Sequence, residues 1–137
     1  MTLIRLMTLG VLTSLAGCAL YHSEASAPIN GNWIIEYIGD RPVMDSSPAS
    51  ITFDTDRQLS GNASCNRFSG RYAGTASALS VGPLATTRMM CPEALMEQEQ
   101  RFLSALTEIA SARIDNGLLY LDNAAGATLF RASRQAD

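Results

Sequence analysis

From Gly31 onward, apolar and polar residues alternate in short runs. The run "NWIIEYI" places Trp33, Ile35 and Tyr37 on one face of a strand, because successive side chains of extended chain point to opposite sides. Asp40-Arg41-Pro42 then turns the chain, and "SITFD" continues the pattern up to a hairpin turn at Asp54-Thr55-Asp56. "RQLSGNAS", "RFSGRYA" and "SALSVG" predict three more strands, the last ending at Pro83. "ARIDNGLLYLD" predicts a hairpin, since Asn116-Gly117 suits a tight turn whose two central residues both need positive φ. "ATLFRA" closes the series. Short strands at this spacing predict a mainly β domain, an antiparallel sandwich or barrel.

One segment follows a different period. Residues 92–111, "PEALMEQEQRFLSALTEIAS", place Leu95, Phe102, Leu106 and Ile109 at helical spacing, with Met96, Leu103 and Ala110 beside them. Pro92 suits the first helical position and Glu93 the positive end of the dipole. Glu97 and Arg101 are placed for an i,i+4 pair. The helix is expected to pack on, or plug, one end of the sheet.

The N-terminus has another character. Arg5 is its only charge, an apolar run follows from Leu6 to Leu15, and the small residues Ala16 and Gly17 come next. The run is too short to span a bilayer and reads as a secretory signal over 1–17. Leu15-Ala16-Gly17-Cys18 fits a bacterial lipobox, in which Cys18 becomes the first mature residue and carries the lipid. Each buried methylene contributes about 0.8 kcal/mol, so two or more acyl chains hold firmly. Ala19 in place of Asp favours the outer membrane, with the domain facing the periplasm. Residues 18–30 read as a lipidated tether, 31–132 as the domain and 133–137 as a tail. His22, the only histidine, falls in the tether.

Charge adds little: 10 basic against 13 acidic residues, with no basic stripe, argues against nucleic acid as a partner. The expected partners are the membrane, through the anchor, and an envelope protein or lipid not named by the sequence; the expected state is a monomer. No cofactor is expected. No phosphate loop, nucleophile elbow or H-E-x-x-H is present. Glu36, Glu93 and Glu99 are scattered, so no paired carboxylates suggest an enzyme. Asn62-Ala63-Ser64 is a formal glycosylation sequon that bacterial export makes irrelevant.

Once Cys18 is assigned to lipid, Cys65 and Cys91 remain. Export to an oxidising space favours a disulfide between them, worth about 3.5 kcal/mol in the chain-entropy model. Two buried free thiols are the second reading, and a redox or metal role the third. Structural zinc needs about four nitrogen or sulfur ligands, a cysteine nucleophile needs a base, and there is no Cys-x-x-Cys.

The segments around these cysteines, "SGNASCNRFSGRY" and "GPLATTRMMCPEALMEQEQRFLSAL", resemble the META domain family of HslJ-like heat-shock lipoproteins. The shared signature is Gly61-x3-Cys65-Asn66-x-Phe68-x-Gly70 with Thr87-x-Met89-x-Cys91. The resemblance runs from about Gly31 to Arg131. It implies a small lipocalin-like antiparallel β-barrel of about eight strands with one inserted helix, and no catalytic residues. It also implies a setting of heat induction, envelope stress and tolerance of hydrophobic antibiotics. Within the signature, Gly61 and Gly70 are expected at bends or bulges, Asn66 bonded to loop backbone, and Phe68 and Met89 in the core. Arg67 and Arg88, which flank the cysteines, are the candidate contact residues. Two functions fit: a non-catalytic envelope domain acting through protein or lipid contacts, or a carrier of a small hydrophobic ligand in a barrel calyx. A plug formed by Trp33, Tyr37, Phe53, Phe68, Tyr72, Phe102 and Tyr120 would count against the carrier.

Overall fold

The computed structural model describes residues 28–136; the signal segment, Cys18 and His22 lie outside them. Ten strands and one helix follow in order: β1 Gly31–Ile38, β2 Arg41–Pro42, β3 Ala49–Phe53, β4 Gln58–Asn62, β5 Arg67–Thr75, β6 Ala78–Val81, β7 Ala85–Thr86, α1 Glu93–Thr107, β8 Ile109–Asp115, β9 Leu118–Asn123 and β10 Thr128–Arg134. The main sheet runs β6-β5-β4-β3-β1-β10-β9-β8, with the short β2 beside β1 and the short β7 beside β5. Its pairs are antiparallel. The two ends of the path curl together, and the Ala112 amide donates to the Ala76 carbonyl at 2.7 Å. The result is a nearly closed eight-strand antiparallel barrel, as expected.

Alternation decides which side chains enter it. Trp33 and Ile35 of β1, Ile51 and Phe53 of β3, Leu59 of β4, Phe68 and Tyr72 of β5, Leu119 and Leu121 of β9 and Phe130 of β10 are all buried. Tyr37 departs from the expected face. The β1–β10 register shifts between Ile35 and Tyr37, so Ile38 turns inward and Tyr37 turns out beneath the Arg131 guanidinium, 4.1 Å from the ring centre. A bulge adds one residue and thereby reverses the alternation beyond it. Tyr120 is likewise outside, under Arg113 at 4.1 Å.

The helix closes the barrel with Phe102 and Leu106, both fully buried. Phe102 meets Phe68 at 5.4 Å and Phe130 at 5.1 Å between ring centres. Phe53 and Tyr72 form a second, edge-on pair at 5.2 Å. The interior is thus occupied by stacked rings and branched aliphatics. Of the expected fillers, Trp33, Phe53, Phe68, Tyr72 and Phe102 take that role, and Phe130 joins them.

The helix is shorter than its apolar period predicts. Pro92 sits just before it, at φ −52° and ψ 148°, and Glu108 caps its end by donating to the Ala105 carbonyl. Ile109, Ala110 and Ser111 belong to β8. Ile109 is buried, but as a β-branched strand residue opposite Asn123; pairing with β9 overrides the helical period. At the other boundaries the folded unit is longer than expected. Ser133 and Arg134 extend β10 against β1. Ile29 is buried and its carbonyl accepts from Trp33 Nε1 at 2.7 Å, so the last tether residues are docked.

Candidate functional site

The signature residues converge where β5 begins, beside the start of the helix. Cys65 and Cys91 are joined by a disulfide across a Cα–Cα distance of 6.0 Å, within the range such a bond requires. The link ties the chain entering β5 to the residue before Pro92, and so fixes the point from which the helix departs.

Asn66 is the centre of the arrangement. It is buried, and both ends of its amide are used. Its Oδ1 accepts from the Met89 amide at 2.7 Å and the Thr87 hydroxyl at 2.9 Å. Its Nδ2 donates to Glu99 Oε1 at 2.9 Å and to the Met89 carbonyl at 3.3 Å. The Asn66 backbone amide also donates to Glu99 Oε2 at 2.6 Å. Glu99 is itself buried, so its carboxylate receives both donors of one residue, one on each oxygen. Bonds to an ionised group are stronger than neutral ones. Strand, loop 87–91 and helix are therefore bound through one asparagine. Around it, the Arg67 amide donates to Thr87 Oγ1 at 3.1 Å and the Thr87 amide to the Arg67 carbonyl at 3.0 Å.

Gln98, one residue earlier on the helix, does similar work for the loop between β2 and β3. It has no exposed surface. Its Nε2 donates to the Ser47 carbonyl at 2.9 Å and to Ser64 Oγ at 3.1 Å, while its Oε1 accepts from the Met44 amide at 2.9 Å. Ser64 adopts φ +128°, which L residues rarely occupy, and its hydroxyl is held by Gln98 and by Ser47 Oγ at 2.7 Å. The helix face that the apolar period left unassigned thus carries the two polar groups that organise the site. Sequence reasoning left Glu99 among scattered carboxylates and gave Gln98 no role; their one available signal was adjacency on the inward face, four and three residues before Phe102.

Three expectations are corrected. Gly61 and Gly70 lie in ladders whose register does not shift, so neither marks a bulge. A Cβ on Gly61 would lie 2.0 Å from the Ser50 carbonyl oxygen and 2.9 Å from the Phe68 ring, and one on Gly70 would lie 2.8 Å from Leu84 and 2.9 Å from the Pro83 carbonyl oxygen. These glycines allow close approach of neighbouring chain. Met89 is not core: it is 57% exposed, and Met90 is 91% exposed. With its amide and carbonyl both bound to Asn66, the Met89 backbone is held against the site and its side chain points away. Glu97 does not pair with Arg101; it turns to Arg41 at 3.4 Å, leaving Arg101 Nε and Nη1 buried without a hydrogen-bond partner.

Phe68 is buried, as expected, and Arg67 and Arg88 are exposed. Neither arginine forms an ion pair among the described residues. The site therefore has a buried, fully bonded interior and an exposed rim of Arg67, Arg88, Met89 and Met90. Among the described residues no group of three or more His, Cys, Asp or Glu could hold a metal ion.

A profile of the META domain matches residues 26–136. Heat shock protein HslJ of Escherichia coli strain K12 is 30% identical over 105 residues, covering 74% of each chain. The NMR structure of a protein from Burkholderia xenovorans is similar at 28% identity with a TM-score of 0.65, over 84% of this chain and 96% of that one. A crystal structure of a DUF4847 family protein from Bacteroides vulgatus shares the fold at 13% identity and a TM-score of 0.57, over 79% of this chain and 94% of that one. With the profile spanning the whole barrel and the signature residues meeting around Asn66, this chain belongs to the META domain family.

Proposed function

We propose that this protein is a non-catalytic domain held in the bacterial envelope by lipid on Cys18, in the outer membrane facing the periplasm. There it supports envelope integrity, under heat stress and against hydrophobic antibiotics, through contacts with an envelope protein or lipid. One observation carries the reading: the signature segments spend their polar groups on internal bonds while presenting Met89 and Met90, at 57% and 91% exposure, beside exposed Arg67 and Arg88. Neighbouring exposed apolar side chains on a backbone fixed from below suit contact with a partner. Membership of the family that includes a heat shock protein supports the stress setting. Against a carrier with an internal calyx stands the ring-filled barrel, because a small barrel either fills itself with side chains or holds a ligand.

The test is complementation of a deletion strain challenged by heat and by a hydrophobic antibiotic. The wild-type gene restores survival; Met89→Ser/Met90→Ser, which keeps the backbone bonds, does not, although it accumulates normally. Full rescue by the double variant would show that this rim is not the contact surface.

A further inference from the structure

The signature rim and the tether lie at opposite ends of the barrel. Asn30, where the tether joins β1, donates through Nδ2 to the Tyr72 hydroxyl at 3.1 Å, and that hydroxyl donates to the Asp54 carbonyl just beyond β3 at 2.6 Å. Arg134 donates to the carbonyls of Asn30 and Pro28. The rim lies where β4 ends and β5 begins. β3 runs from one level to the other, with Phe53 opposite Gly31 and Ser50 opposite Asn62. Its 5 residues, at about 3.3 Å each, cover about 17 Å. Residues 18–27 link Cys18 to Pro28, and extended chain of that length reaches up to about 35 Å. An anchor on Cys18 therefore leaves enough slack for the far end of the barrel to turn onto the bilayer.

We propose that the rim docks on the phospholipid bilayer that holds the anchor, an inference that rests on the lipid-anchored reading given above and names lipid as the contact. Among the described residues Met89 and Met90 are the large apolar side chains left exposed, and Arg67 and Arg88 form no ion pair. Glu93 is the one exposed carboxylate within three residues of these four in sequence. The thioethers enter the boundary of the acyl chains, while the arginine stems lie along it and their guanidiniums meet lipid phosphates. Two apolar side chains are a small centre for a free-standing protein interface, in which about 20–30 residues a side take part. They suffice for a surface already tied to the bilayer, since a short tether raises the effective concentration to about the millimolar range. The Met89 backbone, held through its amide and carbonyl by Asn66, gives the contact a rigid base.

The experiment uses the lipidated chain in vesicles of phosphatidylethanolamine and phosphatidylglycerol. A diazirine amino acid is placed at position 90, or at position 55 in the exposed turn between β3 and β4, at the tether's end of the barrel. After irradiation, lipid adducts are quantified by mass spectrometry. The expected result is more lipid adduct from position 90 than from position 55. Arg67→Gln/Arg88→Gln, at two exposed positions, lowers the yield at position 90 by roughly fivefold for each cation removed from an anionic surface. Deleting residues 21–27 leaves about 10 Å of chain between Cys18 and Pro28, less than the barrel spans, and reverses the order: position 55 then gives the adduct and position 90 loses it. A Gly-Ser tether of the original length keeps the original order. More adduct from position 55 than from position 90 with the intact tether, a yield at position 90 that survives the deletion, or one unchanged by Arg67→Gln/Arg88→Gln overturns docking on lipid and leaves a protein contact at the rim to the complementation test. A chain that carries no lipid on Cys18 overturns the anchor itself, and this inference with it.

Discussion

Replacing Asn66 by Ala tests whether the signature is a structural clamp. The substitution deletes four side-chain bonds, to Glu99 Oε1, to the Met89 carbonyl, to the Met89 amide and to the Thr87 hydroxyl. It retains the backbone bond from Asn66 to Glu99 Oε2. The bond to Glu99 counts most, since a hydrogen bond to a charged group contributes about 1.5–3 kcal/mol and Glu99 is buried. Thr87 is exposed and Met89 half-exposed, so water replaces part of what they lose, and their bonds together add about 1 kcal/mol. The expected loss is therefore about 2.5–4 kcal/mol, a large share of the roughly 5–15 kcal/mol available to a small domain. For a domain of this size each kcal/mol moves the melting temperature by about 4–8 °C, so a fall of roughly 10–30 °C is expected. Thermal and urea unfolding by circular dichroism, with the disulfide kept oxidised, measures it, and the urea slope should stay constant. Glu99→Gln should cost about 1.5–3 kcal/mol, because an amide NH2 then faces one of the two donors of Asn66. The double variant should cost less than the sum, since the two residues share one interaction. A loss below about 1 kcal/mol for Asn66→Ala, or strict additivity, would refute the clamp.

Three further outcomes are expected. Cys65→Ala and Cys91→Ala should each destabilise by up to about 3.5 kcal/mol, the double variant little more, and non-reducing mass spectrometry should find the crosslink; two free thiols in exported protein would contradict this. Phe102→Ala should lose about 3–5 kcal/mol, because it removes the ring between Phe68 and Phe130; a loss under 1 kcal/mol in urea unfolding would mean the helix does not close the core. Cys18→Ser should move the protein out of the membrane fraction or leave it unprocessed, and unchanged fractionation with unchanged mass would count against lipidation.

The strands were legible because their signals are local, whereas the choice of a barrel over a sandwich came from the family resemblance. Alternation places Ile51, Phe53, Phe68 and Tyr72 inside, and Asn116 and Gly117 adopt φ 50° and 79°, as their turn requires. The features that misled are those set by distant neighbours. The bulge that turns Tyr37 outward is visible only against β10, and the early end of the helix only against β9. Half of the site could be read from its residue types: two cysteines in a chain whose N-terminus reads as an export signal, and an asparagine suited to bonding loop backbone. Gln98 and Glu99 could not. A polar pair on a helix reads as solvated surface until the loops beneath it supply the Ser47 and Met44 backbone and Asn66. Met89 was read as core because it is apolar, whereas its backbone bonds to Asn66 determine where its side chain points.

The central claim is that the clamp presents its rim to a partner in the envelope. Photo-crosslinking in intact cells tests it most directly, with a diazirine amino acid placed at position 90, on the rim, or at position 125, in the exposed turn between β9 and β10. A discrete protein or lipid adduct from position 90, with none from position 125, is the predicted result. No adduct at position 90, or the same adducts from both positions, would contradict it.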